Sequence, residues 1–528
     1  MAIERWSPTT TVTQQEEYLL KRCRKKRKLF AFLREHREEL FDDALQKELA
    51  NMYRETGAGK DPVCPALMAM ALILQGYIGV SDADAVELTV VDLRWQMVLG
   101  RLGETKAAFS QGALFDFRER LIANDLDRRL LERTAEVART TKGFDAKKLP
   151  KTLRIAIDSS PLAGAGRVED TINLIGHAAR KVAKCAAALL GYEFEVFCKK
   201  AGIPLLASTS FKKALDRDWS DPEQKGEAVV IVAKQVLSME RWIARNLDQQ
   251  VDKPGLKNLV RTMKELMGQD LEIDPQSGRT RIIQGVAKDR RISVEDPDMR
   301  HGRKSKSKRI DGYKRHVATD LKSKAILACA ITPANIAEHE AFPKLKSDID
   351  DQGIRFAEAH FDRGYMGSCT VAELAAEGTE ILCKPWKARN GDLFSKEEFT
   401  LDLRAKKITC PAGRTESIEL GKTTTFNPSD CDACRLRSQC TTAVLGNGRS
   451  VSVLEDELLQ KRLRTMSKTK SGRQLFRERI PVEHSLAHIG QRQGPRARYL
   501  GTRKNLYDLR RAASIQNLET AQRTAANR

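Results

Sequence analysis

Hydrophobic positions in the first 145 residues recur at helical spacing. Leu19, Leu20, Leu29, Phe30 and Leu33 trace one face, and the run Ala66 to Leu74 marks a second helix. Pro62 and Pro65 precede that run, and proline suits a helix's first turn. Ser81-Asp82-Ala83-Asp84 reads as a capping box with Asp in its fourth position. Ser110 is the expected N-cap of a further helix carrying Leu114, Phe117 and Leu121. Within Lys21 to Lys28 only Cys23 is not basic. On a continuous helix this puts positive charge on every side, either a solvated face or a phosphate-contacting one.

The period changes after a connector at 142–151 that holds Gly143 and Pro150. Leu153, Ile155 and Ile157 alternate, and the strand they predict ends in Asp158. Helical periodicity returns over 168–270 (Val229, Val232, Val236, Met239; Leu256, Leu259, Met263, Leu266). Strand signals resume at 313–320, 325–331, 354–361 and 380–383, and the third of these runs into Asp362. A helix-rich stretch follows Ser471, where Pro481 places Glu483 near a helix N-terminus. The chain is therefore expected to be an all-α N-terminal domain (1–145) followed by an α/β domain (151–520), a mixed sheet with flanking helices. That domain is expected to be split by helices at 163–290 and by a Cys-rich insertion at 386–460.

Charge adds a partner class. Lys and Arg exceed Asp and Glu by 92 − 71 = 21, which points to a polyanion, because basic side chains displace counterions from phosphates. No apolar stretch approaches the ~20 residues of a spanning helix, and no signal core follows the N-terminus, so a cytoplasmic location is expected. Eleven cysteines in so long a chain do not read as a secreted disulfide framework.

Two of the expected strands end in aspartate, and strand ends line the ligand crevice of an open sheet. Two Mg²⁺ ions can hold the attacking and leaving oxygens of a phosphoryl displacement, and each needs only one or two carboxylates. Asp158, Asp362 and Glu483 are the candidate ligands. Mg²⁺ and Mn²⁺ both suit such oxygens.

The surrounding sequence resembles the DDE transposases of bacterial insertion sequences. Gly59 to Pro65, Ser81-Asp82 and Phe109 to Leu121 resemble the InsH-type N-terminal domain. Ile157-Asp158-Ser159-Ser160 resembles the first-aspartate strand, and Phe361-Asp362-Arg363-Gly364-Tyr365 the second-aspartate motif. Asp296-Pro297-Asp298-Met299-Arg300, Gly312-Tyr313-Lys314 and Thr332-Pro333-Ala334-Asn335 fit the stretches between. Arg479 and Glu483 match the glutamate motif, whereas Phe476 stands for its Tyr and Gly490 for its Lys. Arg492 is the candidate to supply the phosphate contact of that Lys.

The resemblance implies a ribonuclease H-like catalytic domain that binds double-stranded DNA at terminal repeats. It implies metal-dependent hydrolysis at each transposon end, then attack of the freed 3′-OH on target DNA. Asp158, Asp362 and Glu483 would hold two Mg²⁺ or Mn²⁺ ions, Arg479 would contact a phosphate, and the protein would work as a homodimer on DNA at the bacterial nucleoid. The rival readings are a metal-dependent nuclease without strand transfer and an inactive DNA-binding relic.

Cys410 is followed after twenty residues by Cys431-x2-Cys434, and after five more by Cys440. Four thiolates in this order match a closed structural Zn²⁺ site; the alternative is four reduced cysteines. The run Arg300 to Arg309 contains no acid, and Arg303, Lys304, Lys306, Lys308 and Arg309 are candidate contacts to a DNA backbone. Arg492, Arg496, Arg498, Arg503 and Lys504 form a second basic stretch. Trp386 is a candidate to stack on an unpaired base or to pack in a core. His360, two residues before Asp362, reads as a packed core histidine.

Overall fold

The computed structural model describes residues 3–53, 61–140, 149–247, 253–276, 278–304, 307–386 and 388–526. Gly59, Lys60, Gly143 and Lys306 lie outside these segments. The N-terminal region is helical, from Gln14–Cys23 to Leu126–Arg139. The expected caps are present. Ser81 accepts from the Asp84 N–H while the Asp84 carboxylate accepts from the Ser81 N–H, and Ser110 accepts from the Ala113 N–H.

The basic run departs from the sequence expectation of one continuous helix. One helix ends at Cys23 and the next, Lys28–Leu40, begins after Arg27 in the left-handed region (φ 69°). Like charges three and four residues apart repel along a helix. The turn lets Arg24 to Lys28 fan outward, and all five are exposed.

The central sheet is built on β1 (Thr152–Ala163). After it come the long helices Thr171–Leu189, Pro222–Asn246 and Pro254–Asp270 and a short hairpin of β2 (Leu271–Ile273) and β3 (Thr280–Ile282). The sheet resumes with β4 (Arg300–Arg303), β5 (Arg309–Asp320), β6 (Ile326–Pro333), β7 (Arg355–Phe361) and β8 (Glu380–Cys383). β1 pairs antiparallel with β5 and parallel with β7; β8 lies parallel beyond β7, while β4 and β6 pair antiparallel with β5. The sheet is mixed, as expected. The intervening helices bury their own apolar faces, with Leu174, Phe197, Val236 and Met263 in one cluster.

Of the run Arg300 to Arg309, Arg300–Arg303 and Arg309, on either side of 305–306, belong to paired strands. β4 and β5 pair as a hairpin, with Arg303 opposite Arg309 in register. Asp296 and Asp298, just upstream, act as anchors: Asp296 is fully buried and accepts from the Tyr313 hydroxyl, and Asp298 accepts from Thr502 N–H and Oγ. At Gly312 φ is +148° and a Cβ would collide with the Gly164 backbone, so only glycine fits there.

One continuous core joins the N-terminal helices to the sheet, including Phe30, Leu74 and Leu121 together with Ile155, Ile157 and Phe361. The C-terminal helix Thr502–Ala526 runs through this junction. Its Asn517 exchanges two hydrogen bonds with the backbone of Ile326 on β6 (2.7 and 2.9 Å) and so covers that sheet edge. Its Arg510 is buried among Asp125, Asp127 and Asp348. Buried guanidinium charge needs such partners, and these three bind the C-terminal helix to two other parts of the chain. The helix Pro65–Ile78 is buried along most of its length, and among the described residues no single helix is long and apolar enough to cross a membrane.

Candidate active site

β1 and β7 run parallel with Ile157 opposite Phe361. The next residues, Asp158 and Asp362, therefore sit side by side. Asp362 directly follows β7, but β1 does not end at Asp158 as the alternation suggested: Asp158 to Ala163 stay paired with β5, which carries the strand on to Ala163. Each carboxylate accepts from the N–H that follows it, Asp158 from Ser159 (2.8 Å) and Asp362 from Arg363 (2.7 Å). Glu483 approaches from the first turn of the helix Ile480–Gln493, which has Pro481 in that turn as expected. Arg479 spans the gap: Nη1 is 3.4 Å from Asp158 Oδ2 and Nη2 is 3.0 Å from Glu483 Oε1. Three acids spread over more than 300 residues of sequence thus share one crevice.

The electrostatics reflect this crowding. Burial pushes the Asp158 carboxyl above its ordinary value. The Ser159 N–H and Arg479 oppose that rise, while the charges of Asp362 and Glu483 add to it. Asp158 and Arg479 are largely covered, whereas Glu483 is half exposed. Such a site favours a cation, and its donors are all carboxylate oxygens, the ligand type of Mg²⁺ and Mn²⁺.

A second polar group lies beside it. Glu358 and His360 on β7 and Glu478 bring three ligand atoms within 4.8 Å of one another. Arg154 already bonds both carboxylates, at 2.7 Å for Glu358, so a guanidinium fills the cationic role there. His360 is buried and bonds Glu358 at 2.8 Å. The group ties Glu478, which directly precedes Arg479, to both aspartate strands.

The four clustered cysteines also converge. In the insertion, β9 (Thr400–Asp402), β10 (Lys407–Thr409) and β11 (Thr415–Ser417) form one small sheet. A second pairs β12 (Thr423–Thr425) with β13 (Ser450–Ser452). Cys410, Cys431, Cys434 and Cys440 line one cavity of about 250 Å³ between them. Backbone N–H groups of Leu436 and Arg449 point at Cys434 Sγ and Cys431 Sγ, each at 3.4 Å. Burial pushes the Cys440 thiol up, with its three neighbours' charges acting in the same direction.

Two family models match the chain. One, described as a transposase domain (DUF772), covers residues 20–120, and the other, a transposase DDE domain, covers residues 408–521. The chain belongs to the DDE transposases of insertion-sequence type. No curated protein and no solved structure matches it. The DDE match includes Glu483, Arg479 and the Cys-rich segment, and a DDE domain implies a ribonuclease H-like fold. As a transposase the chain acts on DNA, and DDE transposases use divalent metal ions.

The basic candidates are placed less uniformly. In the β4–β5 hairpin of the transposase, Arg309 bonds Asp311 (2.9 Å), and the Lys304 N–H donates to the Lys308 carbonyl (2.9 Å). Arg492 bonds Glu519 (2.9 Å) and lies over the Tyr77 ring. Arg503 is engaged with Asp125 and Asp127, Lys504 with Glu119, and Arg496 with the Gly164 and Ala165 carbonyls. Trp386 is half exposed just beyond β8, with the Arg363 guanidinium 5.2 Å from its ring centre. Sequence reasoning did not single out Glu338, which bonds Ser159 directly behind Asp158. No spacing rule pairs a residue after β6 with one in β1, so only the folded chain brings it into view.

Proposed function

We propose that this transposase cleaves phosphodiester bonds at the terminal repeats of its insertion sequence and joins the freed 3′-OH ends to target DNA. The observation that carries this reading is the convergence of Asp158 on β1, Asp362 just after the parallel β7, and Glu483 at a helix start. These carboxylates would hold two Mg²⁺ or Mn²⁺ ions, which when bound supply Lewis acidity to the attacking and leaving oxygens. The chain's own groups do the rest. Asp158 and Asp362 are oriented by the N–H groups that follow them. Arg479 already faces two carboxylates and offers a planar fork to a phosphate that enters between them.

Around the site, Arg303, Lys304, Lys308 and Arg309 on the β4–β5 hairpin form a clamp on the DNA backbone, with Arg492 a further contact beyond Glu483. Cys410, Cys431, Cys434 and Cys440 hold a structural Zn²⁺ that organises the insertion. Two copies act together on paired ends, in the cytoplasm at the nucleoid.

The test uses labelled terminal repeats, a target plasmid and Mg²⁺. Cleaved ends joined to the plasmid are expected. Cleavage without joining would assign a nuclease, and binding without either product would assign an inactive relic.

A further inference from the structure

Behind the two aspartates runs a chain of polar groups that the proposed chemistry does not use. Glu338 begins the 3₁₀ turn Glu338–Ala341 after β6. Its Oε1 accepts from the Ser159 hydroxyl, one residue past Asp158. Its Oε2 lies against Gly364, two residues past Asp362, so closely that a Cβ there would collide with it. Tyr365, the next residue, is fully buried, and its hydroxyl meets His316 Nδ1 at 2.8 Å. His316 Nε2 in turn meets Thr332 Oγ1 at 2.9 Å. His316 and Ser159 are register partners on β5 and β1.

One carboxylate from a third part of the chain therefore touches the segment after the first aspartate and the turn after the second. A hydroxyl-to-carboxylate bond is charge-assisted and short, so it holds geometry well. Catalytic groups need placement to a fraction of an ångström, and a misplacement of about 1 Å costs about 100-fold in rate. We propose that Glu338 is a positioning residue that fixes the separation of Asp158 and Asp362 through Ser159 and Gly364. The role rests on the reading of those aspartates as metal ligands.

The full-length protein is tested for end cleavage and for Mn²⁺ binding by electron paramagnetic resonance. Glu338→Gln should slow cleavage about 10-fold or more at saturating DNA, with DNA affinity within about twofold of wild type, and raised Mn²⁺ should restore part of the rate. Ser159→Ala, a smaller change, should match it, and the double variant should lose no more than either alone. Gly364→Ala should also slow cleavage, and adding Glu338→Ala should recover part of that loss by removing the collision. Rates within twofold of wild type for both single variants, or losses that add, would overturn the proposal. A wild type that neither cleaves its ends nor gives an Mn²⁺ signal removed by Asp362→Ala would instead overturn the metal reading, and the positioning role with it.

Discussion

Ile157 faces Phe361 across two parallel strands, and this pairing sets Asp158 beside Asp362. The price of that placement is a carboxylate buried near other carboxylates. Burial raises the Asp158 carboxyl above its ordinary value, and Asp362 and Glu483 reinforce the rise. A group whose value is raised on folding contributes stability below the ordinary carboxylate range and loses it as pH rises through the raised value. Asp158→Asn should therefore melt at a higher temperature than wild type in chelator at pH 7, with the gap closing toward pH 4. Mn²⁺ should stabilise the wild type and not the variant. Melting curves with and without metal at the two pH values check both statements.

His316 has the opposite sign. Burial holds its imidazole down to about 3, from an ordinary value near 6.5. The unfolded chain then binds a proton that the folded chain does not, so stability falls as pH drops from about 6.5 toward 3. His316→Asn removes buried hydrogen bonds to Tyr365 and Thr332 and should cost about 1–3 kcal/mol at pH 7. Its acid loss over that window should be shallower than that of wild type. Urea unfolding at pH 7, 5.5 and 4.5 measures the difference.

The cysteine cavity makes a metal prediction. The purified protein should retain about one zinc per chain after dialysis, since four thiolates close the coordination shell. Cys431→Ser combined with Cys434→Ser should lose it and expose 386–460 to limited proteolysis. Elemental analysis beside a protease time course tests this. Zinc content unchanged in the double variant would place the metal elsewhere.

The β4–β5 hairpin makes an electrostatic one. Neutralising Lys304 and Lys308 should weaken DNA binding across sequences and lower the salt slope by about 0.9 per lost phosphate contact. A slope equal to wild type would show that these two lysines face solvent in the complex.

Much of this architecture was legible before folding. The alternation of Leu153, Ile155 and Ile157 located β1 but not its end, because pairing with β5 carries the strand past Asp158 to Ala163, and the same logic found β5 to β8 within a few residues. Pro481 fixed the helix start beside Glu483. The break at Arg27 was not visible, because periodicity on both sides matched a helix. The stretch after Glu483 showed only its positive charge in the sequence, yet Arg496, Arg503 and Lys504 bind partners hundreds of residues away. Charge counts carry no information about such partners. The same holds for Glu338 and for the Arg154 link between Glu358 and Glu478, both of which depend on tertiary placement.

The most direct test of the account is where the divalent ion sits. Crystals of the protein soaked in Mn²⁺ should show anomalous density within bonding distance of both Asp158 and Asp362, with Arg479 drawn away from Asp158, and none there in Asp362→Ala. Manganese bound elsewhere, or density at this site that survives Asp362→Ala, would contradict the assignment of these two aspartates as the metal-holding centre.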